Sequence, residues 1–383
     1  VTSSHDVTPS QAPAPHSDFA ALALAHPLLQ ALAEAKFTTP TPIQAEAIPA
    51  VLAGHDLLGI AQTGTGKTAA FGLPVLHHLF THRQRPAAHH ARALILAPTR
   101  ELAVQIGESF RVMAKHVPLR MAVVFGGVGH QPQIRAMSKG VDVLIATPGR
   151  LLDLMDQGYV RLDRLSHVVL DEADRMMDMG FIRDVRRIIA SAPVKRQSML
   201  FSATMPPDIA RLAAEFLHDP VRVEVTPQSV PVDRIEQQLY YVEASGKRPL
   251  LLSLLQNPDM KRVIVFTRTK HGANRVAEIL EQSGVSSDAI HGNKSQNARQ
   301  RALDEFRAGR IRVLVATDIA ARGIDIPAVS HVINFELPVE PESYVHRIGR
   351  TARAGSSGIA ISFCDGSERS LLRTIERIIG RKL

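Results

Sequence analysis

The chain is poor in the residues that would staple it, stack on bases or hold it in a bilayer. Among its 383 residues there is one cysteine, Cys364, no tryptophan, and an aromatic content of 4%. A lone cysteine excludes an internal disulfide framework and a cysteine-rich zinc site. At the end of the apolar run Gly358 to Phe363, Cys364 reads as a buried strand-end thiol. No apolar run approaches the roughly 18 residues of a membrane span. The nearest, Phe19 to Ala35, is broken by His26, Pro27, Gln30 and Glu34 into an amphipathic helix. The opening VTSSHDVTPSQAPAPHS has neither a basic start nor an apolar core, so residues 1–17 are expected to form a disordered arm, not a secretory signal. The expected location is cytoplasmic, with no membrane partner.

What is present points elsewhere. A net charge of +8 favours a polyanionic partner such as nucleic acid. The length suits two domains. Short runs rich in Val, Ile and Leu recur at Leu57 to Ala61, Ala93 to Ala97, Met121 to Phe125, Val141 to Ala146, His167 to Leu170 and Ser198 to Ser202. In the second half they recur at Arg262 to Phe266, Ala289 to His291, Arg312 to Ala316, His331 to Phe335 and Gly358 to Phe363. Such runs suit strands buried on both faces. Helical patterns lie between them, at Glu101 to Lys115, Pro206 to Leu217, Lys270 to Ser283, Gln296 to Ala308 and Glu342 to Ile348. The alternation predicts an α/β fold of two tandem domains, each a mostly parallel sheet flanked by helices. The segment TPQSVPVD (Thr226 to Asp233) is expected to be the linker, with domains at 18–226 and 233–383 and a hinge at 227–232. His77, His78, His82, His89 and His90 surround Arg83, Arg85 and Pro86 without carboxylate or cysteine support, and read as a solvated loop.

Two segments carry chemistry. AQTGTGKT (Ala61 to Thr68) follows a strand and opens a helix. Gly64 and Gly66 let successive N–H groups curl around phosphate oxygens, with Thr63 before them and Thr65 between them. Lys67 is placed to reach the β- and γ-phosphates, and Thr68 to ligate magnesium. The strict phosphate-loop pattern has glycine where Ala61 stands. DEAD (Asp171 to Asp174) follows the strand His167 to Leu170, at the carboxyl edge where α/β sheets bind ligands. Asp171 is the expected metal partner and Glu172 the base that orients water. Alone, such a tetrapeptide would read as a helix N-cap.

With these and further motifs in order from Phe19 to Leu383, the chain resembles the DEAD-box ATP-dependent RNA helicases. VFTRTKHGAN (Val265 to Asn274) and HGNKSQ (His291 to Gln296) look like the bacterial RhlE-like subgroup. The resemblance implies two RecA-like domains, with ATP and Mg²⁺ as cofactors. Phe19 and TPTPIQ (Thr39 to Gln44) then read the adenine, Gln44 pairing with its N6 and N7; otherwise Gln44 is a helix-face amide and Phe19 a core anchor. Lys36 stands where the family usually has glycine. Ser202 and Thr204 of SAT, with His346, are implied to couple nucleotide state to closure, although a polar strand end explains SAT equally well. The implied RNA track is Thr99, Arg100, Gly127, Thr147, Gly149, Arg150, Arg268, Gln296, Arg299 and Thr317. These are backbone-holding residues with no evident base readers. YVHRIGRTARAG (Tyr344 to Gly355) supplies Arg347 and Arg350 as arginine fingers, three apart and so sharing a helix face. Alone, they would be a solvated basic helix. Gly323 and Asp325 of RGID complete the nucleotide site, and Ala352 replaces another common glycine. The implied function is RNA-stimulated ATP hydrolysis coupled to domain closure and local unwinding of short RNA duplexes. RNA degradation or ribosome assembly factors are implied partners, and an ATP-gated RNA clamp with little turnover is the alternative.

Overall fold

The computed structural model describes residues 18–62, 64–225, 235–318, 329–352 and 358–383, with the side chains of Gln296 and Glu342 outside that description. The expected arm, the linker, Thr63, Gly323 and Asp325 also lie outside it.

Two compact units are present, each built on its own sheet. The first sheet contains β1 (Leu57–Ile60), β2 (Ala91–Leu96), β3 (Met121–Val124), β4 (Val141–Ala146), β5 (His167–Leu170), β6 (Gln197–Ser202) and β7 (Val221–Glu224). The second contains β8 (Ile235–Tyr241), β9 (Val263–Phe266), β10 (Ser287–Ile290), β11 (Val313–Ala316), β12 (His331–Asn334) and β13 (Gly358–Cys364). Their spatial orders are β3-β4-β2-β5-β6-β1-β7 and β10-β11-β9-β12-β13-β8. Every described ladder is parallel, as the alternation of strand and helix demands. β2 and β4 are buried at every position, and their apolar runs are broken only by Arg92 and Asp142, which pair with each other at 3.0 Å.

Two strands escape the apolar-run criterion. β7 (VRVE) and β8 (IEQQLYY) are edge strands with a single neighbour each, so only part of each is covered and polar residues are tolerated. Phe19 to Ala35 is not one helix. A 3₁₀ turn over Phe19–Leu22 and an α-helix over His26–Glu34 are separated by Ala23, whose φ is 53°. The histidines are also placed differently. His77 and His78 belong to the helix Lys67–Thr81, His78 packs against the rings of His82 and His167, and His90 has a carboxylate neighbour in Asp163 at 3.3 Å. Cys364 is 1% exposed at the end of β13, and burial pushes its thiol pKa up. No described helix is long and apolar enough to cross a membrane.

The two departures from family glycines are both in left-handed backbone: Lys36 at φ 60° and Ala352 at φ 55°. Lys36 closes the helix His26–Glu34. Its N–H bonds the Ala33 carbonyl, and the Phe37 N–H bonds that of Leu32, which is a Schellman ending. A side chain here costs about 1–2 kcal/mol, partly offset by the greater unfolded-state freedom of glycine. Lys36→Gly is therefore expected to stabilise the fold by about 0.5–1 kcal/mol and to raise Tm by a degree or two. A calorimetric Tm that falls would remove this explanation.

Candidate functional site

The site follows from strand order. β5, β6 and β1 are neighbours, so the segments leaving their carboxyl ends emerge side by side. Those segments are DEAD after Leu170, SAT at Ser202 and the phosphate loop after Ile60. Ile60 is in register with Ser202, and the Ala61 N–H donates to the Ser202 carbonyl at 3.0 Å.

In the loop, Gly64 and Gly66 have φ of 90° and 94°, which glycine adopts without strain. Ala61 is not among the positive-φ positions, so the departure from glycine there has no backbone cost. Lys67 is 6% exposed, and its ammonium donates to the Ala61 carbonyl at 2.9 Å. Thr68 follows it in the first turn of the helix Lys67–Thr81.

Gln44, 3% exposed, ties the segment Thr39 to Gln44 to this loop. It accepts from the Thr41 N–H at 2.9 Å and donates to the Gly66 carbonyl at 3.1 Å. A Cβ on Gly66 would stand 2.3 Å from the Gln44 amide nitrogen. Gly66→Ala is thus expected to expel the Gln44 amide while straining the loop, weakening nucleotide affinity about tenfold or more. Titration with a fluorescent ADP analogue checks this, and unchanged affinity would dissociate Gln44 from the loop. Phe19 is 3% exposed, with its ring packed inside, while Thr39 is on the surface.

Asp171 is 2% exposed. Burial holds its carboxyl pKa above the usual range, against the pull of Lys67 and with Glu172 and Asp174 adding to the rise. Glu172 carries backbone strain, with φ 54° for a non-glycine residue, and forms an ion pair with Arg175. Sequence reasoning gives no role to Asp174 and Arg175. Asp174 accepts from the backbone N–H groups of Ala203 and Thr204 at 3.2 and 3.0 Å and from the Thr204 hydroxyl at 2.9 Å. The Ser202 hydroxyl accepts from the Asp174 N–H at 3.3 Å and donates to the Thr204 carbonyl at 2.8 Å. DEAD and SAT are thereby one hydrogen-bonded unit. The signal that could have found Asp174 is the adjacency of β5 and β6, which no short motif encodes.

The metal implied by the family fits this donor set. A buried carboxylate with a threonine hydroxyl offers hard oxygen ligands but too few to close a site, as suits Mg²⁺ completed by phosphates and water. A bound cation would offset the burial of Asp171 beside Glu172 and Asp174. Among the described residues no three His, Cys, Asp or Glu side chains are grouped as metal ligands.

β2, β4 and β3 are also neighbours, and their carboxyl ends carry Thr99 with Arg100, Thr147 with Gly149 and Arg150, and Gly127. Thr99 caps its helix through the Leu102 N–H at 3.2 Å. Gly127 has φ 78°, and a Cβ there would lie 1.9 Å from a guanidinium nitrogen of Arg100, so a side chain would strain the backbone and displace Arg100. Gly149 faces open space. Arg150 lies 3.5 Å from Asp153.

In the second sheet, β10, β11 and β9 are neighbours and present the Gln296 and Arg299 helix, Thr317 and Arg268. Arg268 donates to the Leu337 carbonyl at 2.8 Å and pairs with Glu368. Glu368 also pairs with the buried Lys247 at 2.5 Å. Arg347 is 1% exposed. Its guanidinium is bidentate to Asp318 at 2.6 and 2.7 Å, reaches Asn334 at 3.2 Å and the Glu336 carbonyl at 2.6 Å, and lies over the Phe266 ring. The shared helix face expected for Arg347 and Arg350 does not form. The helix Glu342–Ile348 ends at Gly349, and Arg350 lies in the turn beyond it, its Nε 3.2 Å from the His346 carbonyl. His346 itself is exposed.

A strand–phosphate-loop–helix unit with acids on the next strand but one defines a RecA-like nucleotide-binding domain, here followed by a second sheet of the same parallel kind. Residues 41–212 match the DEAD/DEAH box helicase family model and residues 246–355 the helicase conserved C-terminal domain. The chain is 44% identical over 365 residues to the DEAD-box ATP-dependent RNA helicase CshA of Bacillus cereus, covering 95% of this chain and 69% of that protein. It is 45% identical over 367 residues to the ATP-dependent RNA helicase RhlB of Pasteurella multocida, covering 95% and 87%. Among solved structures it superposes on S. cerevisiae Dbp5 bound to RNA and ADP BeF3 with a TM-score of 0.84 and 33% identity, covering 96% of each chain. The chain belongs to the DEAD-box ATP-dependent RNA helicases.

Proposed function

We propose that the protein hydrolyses ATP in response to RNA and uses the cycle to pry apart short duplexes locally. The observation that carries this reading is the hydrogen-bonded unit of Asp174 with Ser202 and Thr204 beside the phosphate loop. It gives the nucleotide site a rigid link to the next strand, through which bound phosphate can be sensed. ATP occupies the loop 61–68, with Gln44 reading its base. Thr68 and Asp171 hold Mg²⁺, which supplies charge neutralisation at the phosphates. Glu172 orients the water.

The RNA backbone runs over Thr99, Arg100, Gly127, Thr147, Gly149 and Arg150 in the first domain, and over Arg268, Gln296, Arg299 and Thr317 in the second. Support comes from strand order, which sets these segments on adjacent carboxyl ends in each sheet. Domain bounds of 18–226 and 233–383 are proposed with them. When ATP and RNA close the cleft, Arg350 serves as the finger. Arg347, committed to Asp318, Asn334 and Glu336, holds the Asp318 carboxylate. His346, Gly323 and Asp325 are assigned to the same closed site on the resemblance alone. Closure is driven by tighter binding of a bent strand in the closed state.

The RhlE-like subgroup, a cytoplasmic location, and partners in RNA degradation or ribosome assembly are proposed on the same resemblance. Strand displacement from a short labelled RNA duplex tests the function. ATP-dependent release is expected, and release that is equal without ATP would overturn it.

A further inference from the structure

We propose that the helix Arg369–Ile379, with Tyr241 beside it, is a second RNA-backbone contact that holds single-stranded RNA flanking the motif track. This rests on RNA being the polymer bound, as proposed above. Arg369, Arg373 and Arg377 recur every four residues and are all exposed. Successive guanidinium groups therefore start about 6 Å apart along the axis and drift by only about 40° per step. None of the three is paired with a carboxylate among the described residues, whereas Arg186, Arg187, Arg211 and Arg222 on other surfaces each have one. From Arg369 to Leu383 the sequence holds five basic residues and one acidic, Glu376, whose carboxylate accepts from the Leu383 N–H at 3.1 Å.

Stability explains only Arg377, which lies in the last turn where the dipole favours a cation. Like charges four apart on a helix repel, costing about 0.2–0.5 kcal/mol per pair. Arg369 also sits at the first helical position, where the dipole disfavours a cation. A polyanion laid along the stripe relieves both. The opposite face of the helix is ordinary core, with Leu372 and Ile375 buried.

Two observations select single-stranded RNA. Tyr241, the last residue of β8, is 65% exposed, and the Arg369 guanidinium lies over its ring at 5.9 Å. An exposed ring next to a row of cations is the equipment that holds bases and phosphates together without sequence preference. The stripe is also continuous with the motif track. Arg268, assigned to that track, is ion-paired with Glu368, the residue before Arg369. Tyr241 is in register with Cys364 at the carboxyl end of the second sheet, the edge from which Arg268 and Thr317 emerge.

The test uses the full chain, with binding of labelled RNA followed by anisotropy over a range of salt. One RNA is a short oligonucleotide that supports ATP hydrolysis, and the other carries the same sequence with unstructured flanks. For Arg369→Gln/Arg373→Gln/Arg377→Gln, affinity for the flanked RNA is expected to fall about tenfold or more. The slope of log K against log salt should shrink by about 2, from three lost contacts at about 0.7 each. Affinity for the short RNA should be kept. Tyr241→Ala should weaken the flanked RNA alone, and the matching triple Arg→Lys protein should recover most of the salt slope. Equal affinity and slope for the triple Gln variant, with Tm unchanged, would overturn the proposal. So would a loss shared by both RNAs and not recovered by lysine, which would mean that the helix matters only for folding. Unchanged RNA binding with lost binding to polyglutamate would reassign the face to an acidic protein and overturn it too. If the wild-type chain bound neither RNA, the failure would lie with the helicase reading.

Discussion

A Glu172→Gln protein is expected to bind ATP and RNA normally and to turn over about 10²–10⁴-fold more slowly. The substitution keeps the size of the side chain and removes the carboxylate that would accept a proton from water. The surroundings argue that this carboxylate is held for use. Glu172 is 4% exposed and lies in left-handed backbone, a combination that costs energy and that the fold retains. Its ion pair with Arg175 fixes its direction, while the neighbouring Asp174 is spent on Ala203 and Thr204. Single-turnover hydrolysis, measured with nucleotide and RNA affinities on the same preparation, checks the prediction. Turnover within a few-fold of wild type would remove Glu172 from the role of base.

Arg347→Ala is expected to cost about 3–5 kcal/mol of stability, because it leaves Asp318 without its partner next to buried Asn334. That loss would be read as a lower Tm for the second domain, before any assay of activity. Arg347→Lys keeps the charge but loses the bidentate geometry, and should recover only part of the loss. An inactive Arg347→Ala protein is accordingly no proof of contact with phosphate. Arg350, 9% exposed and outside the helix, is the cleaner test of the finger role. An Arg347→Ala protein as stable as wild type would show that the Asp318 pair contributes little.

The parallel sheets were legible because doubly buried strands such as β2 and β4 write themselves as apolar runs. The phosphate loop and DEAD were legible because their chemistry is local in sequence. The edge strands β7 and β8 were not, since one neighbour each leaves polar positions permitted. Partnerships across strands were also hidden. Gln44 with Gly66, Asp174 with Thr204, and Arg347 with Asp318 join residues that only the folded packing of strands and helices brings together. Arg347 is the sharpest case: three residues before Arg350 it looked like its twin, yet the helix ends at Ile348 between them and Arg347 is bound to Asp318. The glycine departures tell the same story. Lys36 and Ala352 stand where the family usually has glycine, and only the backbone shows that each occupies a conformation that favours glycine.

The most direct measurement is steady-state ATP hydrolysis by one preparation with single-stranded RNA, with DNA of the same sequence, and with no polymer. The proposed site, completed by Arg350 of the second domain only when RNA bridges both domains, predicts hydrolysis that is low alone, low with DNA and strongly raised by RNA. Equal rates in all three would contradict it, since the nucleotide site would then be complete without closure.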